Sequence, residues 1–163
     1  MKWHIIVLIV LMNMLQSFDG QDIDKTIDRI DGEDLSSLKG LFIHFRSKGH
    51  SRNKNIYFIT TNETKCSPYV VEVDKSDIDN LSIKNDLVLK SCKGDYLDKQ
   101  TIKVALTKYL ELDVCLIQVD SFGNIYINPN KQEAPTFLKK SRESSPKDLD
   151  QFELYKEDWY IRK

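Results

Sequence analysis

Two runs, Leu41-Phe-Ile-His-Phe45 and Ile56-Tyr-Phe-Ile-Thr60, constrain this chain more than any other feature. Both are dense in β-branched and aromatic residues, and a polar, glycine-containing stretch separates them, the pattern of a β-hairpin. Alternation along the first run puts Leu41, Ile43 and Phe45 on one face, with Phe42 and His44 on the other. Apolar residues on both faces predict a hairpin that lies under a helix rather than at a sheet edge. Tyr69–Val73 and Asp86–Lys90 read as two more strands, with one helical turn over Ser76–Ser82 between them, started by a capping serine. Asp113–Val119 and Ile125–Ile127 form another hairpin, because Gly123 and Asn124 in the connecting Asp120–Asn124 tolerate positive φ.

The strongest helical signal follows Gly94. Ile102, Ala105, Leu106, Tyr109 and Leu110 recur at helical spacing, Asp98 is a suitable N-cap, and Lys103 and Lys108 fall on the wet side. A shorter amphipathic helix is expected over Gln21–Leu38, carried by Ile23, Ile27 and Ile30, with Gly32 ending or kinking it. The expected architecture is α+β: a mainly antiparallel sheet of five or six strands with helices packed on one face, in one globular domain over residues 21–130. Residues 131–163 read as a polar linker, most open at Leu138–Pro146, and a short C-terminal amphipathic segment. There Leu149, Phe152, Tyr155 and Trp159 recur every three or four residues.

The first twenty residues have a different grammar. Lys2 precedes an apolar run from Ile5 to Leu15 broken only by Asn13, and small residues follow at Ser17 and Gly20. This is the layout of a secretory signal peptide cut near residue 17 or 20. The run of about eleven residues falls short of the roughly twenty that a spanning helix needs. A secreted chain with no stable membrane insertion after cleavage is the expectation. In an oxidising compartment, Cys66, Cys92 and Cys115 predict one disulfide and one odd thiol. Antiparallel pairing of the strands at 69–73 and 86–90 favours Cys66–Cys92, and Cys115 reads as a core thiol because it alternates with Ile117 and Val119 on one face. The triplets Asn62-Glu-Thr and Asn80-Leu-Ser are glycosylation acceptors, Asn80 at a solvated loop tip.

The formal net charge of −1 excludes a chain drawn as a whole to nucleic acid or acidic membranes. Locally, Asp22, Asp24, Asp28, Asp31, Glu33 and Asp34 make one acidic stretch. Arg46, Lys48, Arg52 and Lys54, with His50 among them, make the long loop of the central hairpin basic. Such a loop suits phosphate, a sulfated sugar or an acidic protein surface. Gly-rich phosphate loops, Cys-x-x-Cys pairs, His-Glu-x-x-His and Gly-x-Ser-x-Gly are absent from the sequence. Two histidines after the leader, His44 and His50, leave no His-rich metal site, and no cofactor is expected.

Phe42-Ile43-His44 resembles the first active-site strand of secreted T2-type ribonucleases, in which a Phe-Thr-Ile-His-Gly-Leu-Trp-Pro run carries a catalytic histidine. The resemblance implies RNA cleavage with His44 as one proton-transfer group. It stops at Phe45-Arg46-Ser47, where that family has Gly-Leu-Trp, and Asn62–Cys66 lacks the histidine of the family's second motif. Only His50 remains as the second acid–base group that the chemistry requires. The expected function is a secreted, non-enzymatic binding protein, such as a salivary or host-directed effector, whose partner is a protein or an anionic ligand. The alternatives are a minimal ribonuclease using His44 and His50, or a cystatin-like proteinase inhibitor with residues 46–55 as an inserted hairpin. The inhibitor reading lacks the Gln-x-Val-x-Gly segment.

Secreted material from a eukaryotic cell line is expected to lack the leader up to residue 17 or 20 and to carry glycan on Asn62, Asn80 or both. Intact-mass measurement decides this, and a retained Met1 ends the extracellular reading.

Overall fold

The computed structural model describes residues 23–74 and 76–163, so the leader expected over residues 1–20 lies outside the described residues. The chain divides into a short unit ending at Glu33 and a larger one, Asp34–Lys163. In the first, residues 23–31 form helix α1. Ile27 and Ile30 on it are buried, which is the stripe read from their spacing. Gly32 ends the helix, where the Glu33 amide closes on the Ile30 carbonyl at 3.2 Å. Leu35 and Leu38, expected to prolong that helix, belong to the second unit, around a 3-10 turn at Ser36–Leu38.

The second unit is a mixed α+β fold built on one antiparallel sheet. In chain order its strands are β1 Leu41–Lys48, β2 Lys54–Thr61, β3 Tyr69–Asp74, β4 Asp77–Lys84, β5 Leu116–Val119, β6 Ile125–Asn128, β7 Phe137–Lys139, β8 Phe152–Lys156 and β9 Trp159–Arg162. They lie in the order β4-β3-β2-β1-β5-β6-β7-β9-β8, so β1 and β2 are central strands. The sheet has nine strands rather than five or six. The additional ones come from segments that sequence periodicity assigned otherwise.

Helix α3, Lys99–Glu111, covers one face of β1–β3. The Asp98 carboxylate accepts from the Thr101 amide at 2.9 Å, the expected N-cap, and Ile102, Ala105, Leu106 and Tyr109 are buried. The Tyr109 and Tyr57 rings meet edge to face at 5.6 Å, and Ile43, Ile59 and Val71 beneath are fully buried. Lys103 lies on the wet side and pairs with Asp79 at 2.7 Å. The segment that launches α3 is held at two points. The disulfide Cys66–Cys92 joins Cα atoms 5.7 Å apart, and the Tyr69 hydroxyl accepts from the Tyr96 and Leu97 amides at 2.9 and 3.1 Å. Closing a loop of this size stabilises by about 3.5 kcal/mol in the chain-entropy model.

The disulfide joins the expected cysteines by a different route. Residues 86–90 are not a strand: Asp86–Ser91 is a short helix, α2. β3 pairs instead with β4, Asp77–Lys84, a strand where a helical turn over Ser76–Ser82 is expected from sequence. Leu87 and Leu89, 41 % and 53 % exposed, show why the pattern misled. Only Val88 is buried on α2, so its apolar density reflects no two-faced burial.

The C-terminal stretch is a second correction. Residues 131–163 are not a linker with a helical segment; they supply β7, β8 and β9 to the same sheet. The two-residue turn Glu157-Asp158 lacks the usual glycine or asparagine signal, yet Glu157 adopts φ 53°. Phe152, Tyr126 and Leu138 form a small core on the sheet face away from α3, with Leu149 and Tyr160 against it. The irregular residues 140–148 are pinned by Asn124, whose Oδ1 accepts from the Ser141 amide at 2.8 Å and whose Nδ2 donates to Ser144 Oγ at 2.7 Å.

Leu106→Ala is expected to destabilise by about 2–5 kcal/mol, because a fully buried side chain leaves a cavity. Lys103→Ala is expected to stay within about 1 kcal/mol, since its ion pair with Asp79 is exposed. Urea melts of the two variants check this, and equal effects would contradict the burial of the stripe.

Candidate functional site

The basic residues singled out by sequence lie on the outer end of the β1–β2 hairpin. The strands run further than the apolar pattern does, to Lys48 and from Lys54, so the expected ten-residue loop is reduced to residues 49–53. The Gly49 amide donates to the Lys54 carbonyl at 2.7 Å, and the Lys54 amide to Ser51 at 3.1 Å. A Cβ on Gly49 would meet Lys54 Cβ at 2.8 Å, so the approach of the two strands here requires glycine. Arg46 occupies a β-bulge between the Phe45–Tyr57 and Ser47–Ile56 pairs. The Gln132 side-chain amide, its nitrogen turned toward β1, donates to the Phe45 and Arg46 carbonyls there. The bulge re-aims Arg46, whose guanidinium sits 5.6 Å from the centre of the Phe58 ring.

The five basic positions are not equivalent. Lys54 donates to Glu72 at 2.6 Å, and this contact raises the ammonium pKa while lowering that of the carboxyl. Lys84 and His50 add positive field at Glu72. Lys54 is therefore a neutralised cation on the sheet. Arg46, Lys48 and Arg52 are exposed and make no ion pair among the described residues, and His50 is exposed beside them.

His44 lies elsewhere. It is half-exposed in the middle of β1, on the face away from α3, with ring centres 5.2 Å from Phe42 and 5.4 Å from Phe58. Burial pushes its pKa down, only partly opposed by the Phe45 carbonyl 3.2 Å from Nδ1, and Arg46 pushes the same way. Four residues of strand, about 13 Å at roughly 3.3 Å each, separate His44 from Lys48, and His50 lies beyond the strand end. The structure does not bring the two histidines within proton-transfer reach of one group, as an acid–base pair needs.

Asn62 is exposed just after β2, with its side-chain amide donating to the Val119 carbonyl at 3.0 Å. Asn80 is not at a loop tip. It is exposed within edge strand β4, in residues 78–80 that have no register partner on β3. Cys115 is half-buried rather than in the core, where burial raises its thiol pKa, and it lines a small cavity of about 170 Å³ with Tyr57 and Tyr109. Among the described residues, no group of three or more His, Cys, Asp or Glu side chains is arranged to hold a metal ion. Nor, among them, is any helix long and apolar enough to cross a membrane.

Sequence reasoning missed how the aromatic side of the hairpin is used. Phe42, His44 and Phe58 share a half-exposed face that leads directly to Arg46. The alternation of Phe42 and His44 was the available signal. Comparison with protein-family models, curated proteins and solved structures finds no match to this chain.

His44 has a lowered pKa in the fold, so the folded state binds fewer protons than the unfolded chain near the imidazole's ordinary value. Its contribution is fully present above about pH 6.5 and turns against folding as pH falls below that. The melting temperature of wild type relative to His44→Phe is therefore expected to drop between about pH 7 and about pH 5. A constant difference across that range would contradict the desolvated imidazole.

Proposed function

We propose that the protein is a secreted binding protein that engages an anionic partner through the end of its β1–β2 hairpin. The observation that carries this reading is the set of three exposed cations, Arg46, Lys48 and Arg52, without ion-pair partners among the described residues. Lys54, by contrast, is neutralised by Glu72. A net charge of −1 gives the whole chain no general attraction to polyanions, so any such attraction must come from a local patch. The bulge at Arg46 and the glycine-dependent turn at 49–53 fix where these charges project. Secretion supports the reading through the leader pattern and the Cys66–Cys92 bridge, which persists in oxidising compartments.

The ribonuclease alternative gains nothing from the geometry, because His44 and His50 are apart. The proteinase-inhibitor alternative gains nothing either: residues 46–48 and 54–55 continue β1 and β2, so only the short turn 49–53 lies between them rather than an inserted hairpin.

The test is elution from immobilised polyanions, both sulfated polysaccharide and polyglutamate, under a salt gradient. Wild type is expected to elute at higher salt than Arg46→Ser/Lys48→Ser/Arg52→Ser, and the gap should close once the Debye length falls to a few ångströms near 1 M salt. Adding Lys54→Ser should change elution little. Equal elution of wild type and triple variant at low salt would sink the proposal.

A further inference from the structure

On the face away from α3, a cleft of about 660 Å³ opens beside β5 and β6. That is within the usual range for ligand pockets. Gln118 and Tyr126 form its floor, and Phe122, Ser145, Lys147 and Asp148 stand around it. Its walls are built. Buried Asn124 donates to Asp120 Oδ2 and Ser144 Oγ, both at 2.7 Å, and the Tyr126 hydroxyl donates to Asp148 Oδ1 at 2.9 Å. Phe122 is 64 % exposed at the β5–β6 turn, where Asp120 Oδ1 accepts from its backbone amide at 2.9 Å, so its backbone is held while its ring serves no core.

The lining of the cleft stops at Gln118 on β5, but the sheet face it stands on continues. Gln118 is the register partner of Phe42 on β1, which pairs with Thr60 on β2, so these side chains share one face. One row along, His44 and Phe58 lead to Arg46. From Phe42 to Arg46 the track covers about 13 Å along the strand. A walled polar cleft, a half-exposed aromatic strip and the Arg46 guanidinium thus follow one another along one face of the sheet, whereas Lys48, the register partner of Asn55, falls on the α3 side.

We propose that this path binds a linear sulfated polysaccharide, its sulfates on Arg46 and Lys147 and its sugar rings against Phe122 and the Phe42 strip. This rests on the polyanion reading above and adds the substrate class and a second contact region. Gln118, Ser145 and the second oxygen of Asp148 supply the hydroxyl-binding groups that a sugar needs. An extended acidic peptide would seek unpaired backbone at a sheet edge, whereas β1, β5 and β6 are paired on both sides. Single-stranded RNA gains most from several open rings on which successive bases stack. Here Phe58 carries Arg46 5.6 Å from its ring centre and Phe42 is half-buried, which leaves Phe122 as the exposed ring of the path.

The test is calorimetric titration with a sulfated hexasaccharide, its disaccharide, the desulfated hexasaccharide and a poly-uridine strand. Wild type is expected to bind the sulfated hexasaccharide at least about tenfold more tightly than the disaccharide or the desulfated form. Phe122→Ala/Lys147→Ala should lose about tenfold while keeping part of the salt dependence, which Arg46→Ser/Lys48→Ser/Arg52→Ser should reduce further. Both cleft substitutions are at exposed sites, and unchanged thermal melts confirm an intact fold; if the double variant melts lower, Lys147→Ala alone repeats the test. Wild-type hexasaccharide affinity in the cleft variant would overturn the cleft inference and leave the polyanion reading standing. Tighter binding of poly-uridine than of hexasaccharide would overturn the sugar assignment, and no binding of any polyanion by wild type would overturn both readings.

Discussion

Burial of the α3 stripe on β1, β2 and β3 is the contact on which the rest of the larger unit depends. Ile102, Ala105, Leu106 and Tyr109 are sealed against Tyr57, Ile43, Ile59 and Val71, where each large side chain contributes roughly 1.5–3 kcal/mol before ordering entropy is counted. Tyr109 shows how dry this layer is. Burial drives its phenol pKa far up, so it stays a neutral donor, and its hydroxyl bonds the Cys115 carbonyl at 3.0 Å. The disulfide and the Tyr69 hydroxyl act upstream of this contact, because both restrain the chain that delivers Asp98 to the start of the helix. Covalent and polar restraints thereby place an apolar stripe that would otherwise be free to slide.

A nine-stranded open sheet has two edges to protect. At β4, Asp74 pairs with Asp77 while Val73 pairs with Leu81, so residues 78–80 bulge out of register. Bulges and charged side chains are the usual means of discouraging another strand from adding to an edge. Here the bulge carries Asp79, paired with Lys103 of α3, and exposed Asn80. The same segment thus ties the helix to the sheet and blunts the edge.

The face away from α3 has two characters along one sheet. Over β6, β7, β8 and β9 it is closed by the core of Tyr126, Leu138 and Phe152, and Arg162 lies 5.0 Å from the centre of the Phe152 ring. Over β1 and β2 it stays half-exposed, with aromatic rings leading to cations. Residues 140–148 cover the first region and, through Asn124 and Tyr126, form the wall of the cleft where the two regions meet. Structure and candidate function therefore share the same hydrogen bonds.

The sequence by itself determined the elements whose pattern is local. These are the central hairpin from dense β-branched and aromatic runs, α3 from its stripe and its Asp98 cap, the Gly123 turn at φ 85°, and the stop at Gly32. It also pointed to the cations of the hairpin. It could not show that Lys54 is neutralised, because Glu72 reaches it only through β2–β3 pairing across eighteen residues of sequence. Nor could it separate helix from strand at 77–91 or 149–162, where short apolar runs fit either period. There the tertiary structure decided. β8 and β9 form where Phe152 and Trp159 find burial on the end of an existing sheet, and Asp86–Ser91 folds into a helix with only Val88 buried. Local spacing fixes which residues can share a face, whereas only the assembled sheet determines which face is covered and which charge finds a partner.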